Sequence, residues 1–141
     1  MTGPSRKAFG QEMSYKVLVV EDEKNIILGV KTCLEVADYQ VVVAETGEEA
    51  LAEVERNRPD IILLDLLLPG ISGYQVCSQL KEDPKTKDIP IVVLSAKAEE
   101  EDMRRAKEAG ADSYLTKPFR PKELWAELER FLPSEKNKSA V

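Results

Sequence analysis

Apolar and polar positions alternate between two rhythms along the chain. Short unbroken apolar runs, Val17-Leu18-Val19-Val20, Ile61-Ile62-Leu63-Leu64 and Ile91-Val92-Val93-Leu94, read as strands buried on both faces. Between them apolar residues recur three or four apart, as Ile27, Val30 and Leu34 do, which is the spacing of a helix with one buried stripe. The pattern predicts strands over 16–20, 40–44, 61–64, 91–94 and 113–115. Helices are predicted over 24–37, from Thr46 to about residue 56, and over 74–81, 99–109 and 121–131. Thr46 with Glu49 three residues on has the form of a capping box. Gly110 suits a helix stop, and Pro121 a first helical position. Strand and helix alternate five times with short connections, which implies an α/β fold with a parallel sheet and helices on both faces.

Two of the apolar runs empty into carboxylates. Glu21 and Asp22 follow the first, and Asp65 follows the run from Ile61 to Leu64. Ligands of open α/β sheets bind at the carboxyl ends of the strands. Three carboxylates gathered there repel one another and call for a proton or a cation. An oxygen-only site suits Mg²⁺, held by one or two carboxylates, waters and a phosphate.

Composition narrows the chemistry. The 141 residues fit one domain, and a net charge of −6 argues against a primary nucleic-acid or anionic-membrane surface. No apolar stretch approaches the ~18 residues of a membrane span. There is no histidine, which removes histidine triads, ligands and phosphoacceptors. Cys33 and Cys77 lack redox or zinc spacing and read as free thiols of a cytosolic protein. Residues 1–14 read as a flexible leader, in part a cloning remnant, and residues 133–141 as a flexible tail around one domain over 15–132.

Other strand ends carry complementary groups. Ser95 ends the fourth strand and can donate to a phosphoryl oxygen; by itself it would equally suit a helix cap. Lys117 follows the fifth strand, where a point charge can meet a phosphoryl group or Asp65; by itself it would be a solvated surface lysine. Asp65 opens Asp65-Leu66-Leu67-Leu68-Pro69-Gly70-Ile71-Ser72-Gly73, a loop stiffened by proline. Carboxylates in such places act as ligands, bases or nucleophiles toward phosphoryl groups, or simply cap loops.

Together these segments resemble the receiver domain of two-component response regulators, of the chemotaxis-regulator type. The likeness rests on Glu21-Asp22-Glu23, the 65–73 segment, Leu94-Ser95-Ala96 and Gly110-Ala111-Asp112-Ser113-Tyr114-Leu115-Thr116-Lys117-Pro118-Phe119. It implies a flavodoxin-like, doubly wound sheet of five parallel strands in the order 2-1-3-4-5. By resemblance Asp65 is the phosphoacceptor. Glu21, Asp22, Asp65 and the Leu67 backbone carbonyl would hold Mg²⁺, with Asp22 ligating directly and Glu21 through water. Ser95 and Lys117 would bind the phosphoryl oxygens, Ser95 and Tyr114 would form the switch, and Pro118 would follow a cis bond. The chain would be a cytoplasmic phosphoacceptor regulator, not an enzyme in the usual sense, that assists its own Mg²⁺-dependent phosphorylation and dephosphorylation. The implied partners are a sensor histidine kinase or phosphotransfer protein and a downstream protein meeting the fourth helix, fifth strand and fifth helix. A homodimer is a further option; neither nucleic acid nor membrane is expected to bind this chain directly.

The output face departs from relatives with winged-helix outputs. Those often carry paired aspartates and a fifth-helix arginine where this chain has Asp112-Ser113 and Glu127. One expected ion pair therefore loses both halves. Trp125 is expected in the core, with a partner-facing anchor as the alternative. Three rival functions remain weaker. An aspartyl-phosphate hydrolase would want a second aspartate where Leu67 stands. A flavodoxin-like nucleotide or flavin binder would want a glycine- or hydroxyl-rich phosphate loop where Glu21-Asp22-Glu23 stands. A receiver-like interaction module without phosphotransfer would not need the complete acceptor set.

Overall fold

Period-two alternation within each strand decides which side chains meet which helices. In the computed structural model, which describes residues 7–8, 11–12, 14–97 and 99–133, five parallel strands form one sheet. They are β1 (Lys16–Val20), β2 (Gln40–Ala44), β3 (Ile61–Asp65), β4 (Ile91–Ser95) and β5 (Ser113–Thr116). Their spatial order is β2-β1-β3-β4-β5. The helices are α1 (Lys24–Val36), α2 (Gly47–Arg56), α3 (Gly73–Glu82), α4 (Glu100–Glu108) and α5 (Pro121–Phe131).

Val17, Val19, Ile61, Leu63, Val92 and Leu94 face one way and pack with Val30 and Leu34 of α1 and Leu124 and Leu128 of α5. Leu18, Val20, Ile62, Leu64 and Ile91 face the other way and pack with Ala50 and Val54 of α2 and Val76, Cys77 and Leu80 of α3. Val93 continues that second layer toward Ala106 of α4. β1, β3 and β4 are buried on both sides, which is why their sequences lack polar alternation. Each fully buried Val, Leu or Ile stabilises the fold by ~1.5–3 kcal/mol relative to exposure.

Local chemistry sets the helix ends. Thr46 Oγ1 accepts from the Glu49 amide at 3.0 Å. The Glu49 carboxylate reaches back to Glu45 N rather than to Thr46, so the expected capping box is only half formed. A complete box sits unforeseen at α3, where Ser72 and Gln75 exchange bonds of 3.2 and 3.0 Å. Asp38, at φ 68°, turns the chain out of α1, and Gly110, at φ 106°, turns it out of α4. Lys81 braces that second turn. Its ammonium donates to the carbonyls of Lys87 and Ile89 and to Asp112 Oδ2, at 3.0, 2.8 and 2.8 Å.

Several boundaries shift by a residue from the sequence-based ranges. The consequential ones are β3 and β4, which extend through Asp65 and Ser95. Both residues are therefore held by sheet pairing rather than by loops. The leader expected over 1–14 falls partly outside the described residues, as does the tail beyond Pro133. Within the leader, Lys7–Ala8 and Gln11–Glu12 pair as a short antiparallel ladder.

Candidate functional site

The carboxyl ends of β1, β3, β4 and β5 converge because their registers are level. Val20 pairs with Leu64, Asp65 with Leu94 and Ser95 with Thr116. The residues just past each pairing therefore emerge at one edge. Glu21, Asp22 and Asp65 meet there, each offering an oxygen within 4.8 Å of the others. Glu21 and Asp65 are buried, at 2% and 7% exposure, while Asp22 is exposed.

Lys117 enters from β5. Its Nζ lies 2.7 Å from Glu21 Oε1 and 3.8 Å from Asp65 Oδ1. The ion pair is thus made first with Glu21, and Asp65 is the looser partner. The other Glu21 oxygen accepts from Glu23 N at 3.1 Å, and Asp65 Oδ1 accepts from Leu67 N at 3.3 Å. Ser95 is fully buried, and its hydroxyl accepts from Lys97 N at 3.1 Å. The Lys117–Pro118 peptide bond is cis.

Burial and the neighbouring charges act together on Asp65. Desolvation pushes its pKa up to about 6, with the Lys117 charge pulling down and the Glu21 charge pushing up. Three carboxylates face one ammonium, leaving two formal negative charges at the cluster. A hard divalent cation matches both that deficit and the all-oxygen donor set, so the residues fit Mg²⁺.

Gly73 lets the chain close tightly behind the site. A β-carbon there would collide with the Asp65 carbonyl oxygen and would lie 2.7 Å from Leu66 Cα. Leu67 stands at the rim, 60% exposed. Tyr114 sits on β5 with its ring packed against Leu66, Val93 and Ala106. Its hydroxyl donates to the Lys97 carbonyl at 2.6 Å, across the loop that follows Ser95. Burial pushes the Tyr114 phenol up, and the Ser95 hydroxyl pulls the other way.

On the neighbouring face, Ser113 Oγ donates to Glu127 Oε1 at 2.6 Å, and Arg130 donates to the same oxygen at 3.0 Å. The two residues that break the ion pair expected in relatives thus bond each other. Trp125 is half-buried, and its indole N–H donates to the Cys33 carbonyl at 3.0 Å, joining α5 to the last turn of α1. That bond, the Lys81 brace and a buried Tyr74 hydroxyl carry no sequence signal of their own; each depends on which residues the fold sets opposite.

A level sheet edge holding an acidic trio, a lysine and a buried hydroxyl defines a class of phosphate-handling α/β domain. The chain belongs to the response regulator receiver domain family, whose model matches residues 17–129. It is 48% identical over 117 residues to the phosphate regulon transcriptional regulatory protein PhoB of Escherichia coli. That match covers 83% of this chain and 51% of PhoB, so the chain spans about half the length of the curated relatives it matches. A response regulator structure from Chloroflexus aurantiacus superposes with TM-score 0.82 at 38% identity, covering 85% of this chain and 98% of that one. The receiver domain of sensor histidine kinase PA1611 from Pseudomonas aeruginosa superposes with TM-score 0.81 at 31% identity, covering 86% and 100%. That structure has a magnesium ion coordinated in its active-site cleft. Receiver domains serve phosphorylation-dependent signalling, bind Mg²⁺ at an acidic pocket and interact with histidine kinases or phosphotransfer proteins.

Proposed function

We propose that Asp65 accepts a phosphoryl group from a sensor histidine kinase or phosphotransfer protein, and that the chain relays this as a change of shape. The carrying observation is the convergence of Glu21, Asp22 and Lys117 on Asp65, with Ser95 ending the adjacent strand β4. Asp65 is the member of the trio flanked on both sides, by the acidic pair from β1 and by the hydroxyl and lysine from β4 and β5. Its carboxylate attacks phosphorus, and the bond to the donor's leaving group breaks.

Asp22, Asp65 and the Leu67 carbonyl would hold Mg²⁺, with Glu21 acting through water. The ion would supply positive charge beside the phosphoryl oxygens. Lys117 would exchange its partner Glu21 for a phosphoryl oxygen, and Ser95 would donate its hydroxyl to another. Drawing Ser95 toward Asp65 pulls the loop to Lys97, and with it the Tyr114 hydroxyl. The domain thereby assists its own Mg²⁺-dependent phosphorylation and dephosphorylation.

The output would pass through α4, β5 and α5 to a downstream protein. Ser113, Glu127 and Arg130 satisfy one another within the protomer, which favours a heterologous partner over a homodimer built on charges at those positions. Acetyl phosphate with Mg²⁺ tests the acceptor. Intact mass should rise by one phosphoryl group in the wild type and stay unchanged in Asp65→Asn. Equal labelling of both would refute the assignment.

A further inference from the structure

Tyr74 stands on the first turn of α3, and its ring packs on the same small apolar cluster as Tyr114, made by Leu66, Val93 and Ala106. Arg105 of α4 lies over the Tyr74 ring, its guanidinium carbon 4.1 Å from the ring centroid. That contact draws α4 against α3 and roofs the ring. Beneath it, the Tyr74 hydroxyl is buried and has no hydrogen-bond partner among the described residues.

The surrounding polar groups are satisfied. The Tyr114 hydroxyl is bonded to the Lys97 carbonyl, the Ser95 hydroxyl to Lys97 N, and the Lys97 ammonium lies 3.6 Å from buried Asp102. A buried phenol without a partner is unfavourable, since it loses water and gains nothing. Phenylalanine would fill the same space and keep the Arg105 contact without that loss. The hydroxyl is therefore a defect of this particular arrangement, and such a defect calls for a cause.

The cause lies in what closes the cluster. The Tyr114 hydroxyl, bonded to the Lys97 carbonyl, ties β5 to the loop after β4 beside it. Tyr114 and Tyr74 are neighbouring walls of that one cluster, so the seating of the first bears on the burial of the second. We propose that unseating Tyr114 opens the α3–α4 seam to water, which makes Tyr74 a counterweight built into the switch: its hydroxyl, stranded under Arg105 when Tyr114 is seated, tilts the resting domain toward the unseated state until the Asp65 site is occupied. A ligand shifts such an equilibrium only by its differential affinity for the two states, so this counterweight sets how much site occupancy the switch requires. The inference rests on the phosphorylation-switch reading given above.

Titration of the Mg²⁺-loaded protein with beryllofluoride, a phosphoryl mimic, tests it, with hydrogen exchange across α4 and β5 as readout. Tyr74→Phe should lower the half-saturating concentration at least fivefold and raise protection of α4 and β5 before any mimic is added. A higher urea midpoint with an unmoved beryllofluoride midpoint would show the hydroxyl stranded in both states and overturn the counterweight. A higher beryllofluoride midpoint would overturn it too. If the wild type itself shows no change across Tyr114, the switch reading fails, and that failure is read without the variant.

Discussion

Lys117 and Glu21 are separated by 96 residues of chain yet meet at 2.7 Å across the sheet edge. The pair joins the end of β5 to the end of β1 and leaves Asp65 as the lysine's second, more distant partner at 3.8 Å. The lysine therefore stands where a cation's charge is wanted.

Competition follows from that position. Lys117→Met should bind Mg²⁺ more tightly than the wild type, by a factor of about three to ten, because one like charge near the site is gone. Without Mg²⁺, Lys117→Met should also be less stable by ~3–5 kcal/mol, since Glu21 stays buried without its partner. Calorimetric Mg²⁺ titration and urea unfolding check both. Weaker Mg²⁺ binding in the variant would show that Lys117 organises the carboxylates rather than competing for them.

Asp65 makes stability depend on pH with a definite sign. Its pKa rises on folding from an ordinary 3.8 to about 6, chiefly through burial. The unfolded chain thus releases this proton first, and the group's favourable contribution, complete below 3.8, is lost as pH climbs through about 6. Without Mg²⁺, Asp65→Asn should match the wild type near pH 4 and exceed it by about 2 kcal/mol at pH 8. Adding Mg²⁺ at pH 8 should raise the wild type and leave the variant behind. Parallel urea midpoints from pH 4 to 8 would contradict the shift.

Gly73 admits no side chain because backbone, not a flexible side chain, fills the space. Gly73→Ala should destabilise the domain by ~1–3 kcal/mol and slow phosphorylation by acetyl phosphate as Asp65 is displaced. Thermal unfolding and intact mass over time report the two effects. Gly29 is the control, since a β-carbon there meets nothing within 4 Å. Gly29→Ala should be neutral or slightly stabilising.

Trp125 and Cys33 are joined by one hydrogen bond between helices. Trp125→Phe leaves the Cys33 carbonyl without its indole donor and should cost about 1 kcal/mol, read as a urea midpoint. Phosphorylation should be unaffected, because the bond lies along α1 and α5 rather than at the sheet edge.

The sheet is legible in the sequence because burial on two faces leaves a plain trace. Val17 to Val20 and Ile61 to Leu64 can be little else than central strands, given the carboxylates behind them. The trio and Lys117 are legible for the same reason: strand ends are predictable places. What escapes is everything decided by side-chain reach. Thr46 and Glu49 have the letters of a capping box, yet Glu49 turns to Glu45. Ser72 and Gln75 have the same letters and do form one, at a helix start read from the sequence only as loop, so equal letters give unequal outcomes. The sequence puts Lys117 near a phosphoryl group or Asp65, and only the geometry shows Glu21 as its first partner. Ser113 and Glu127 look in sequence like a missing ion pair. Their mutual bond needs the fold to place β5 beside α5.

Trp125 is the protein's one tryptophan. Its indole is fastened to Cys33 in the layer of α1 and α5, across the sheet from Tyr74 and Arg105. Its emission is thus a local gauge of the α1–α5 seam. A partner that wedges between those helices would change its colour and brightness, while rearrangement beside α4 would pass it by. Fluorescence and hydrogen exchange on this molecule are therefore two separate instruments, one for each side of the sheet, and silence in one leaves the other free to respond.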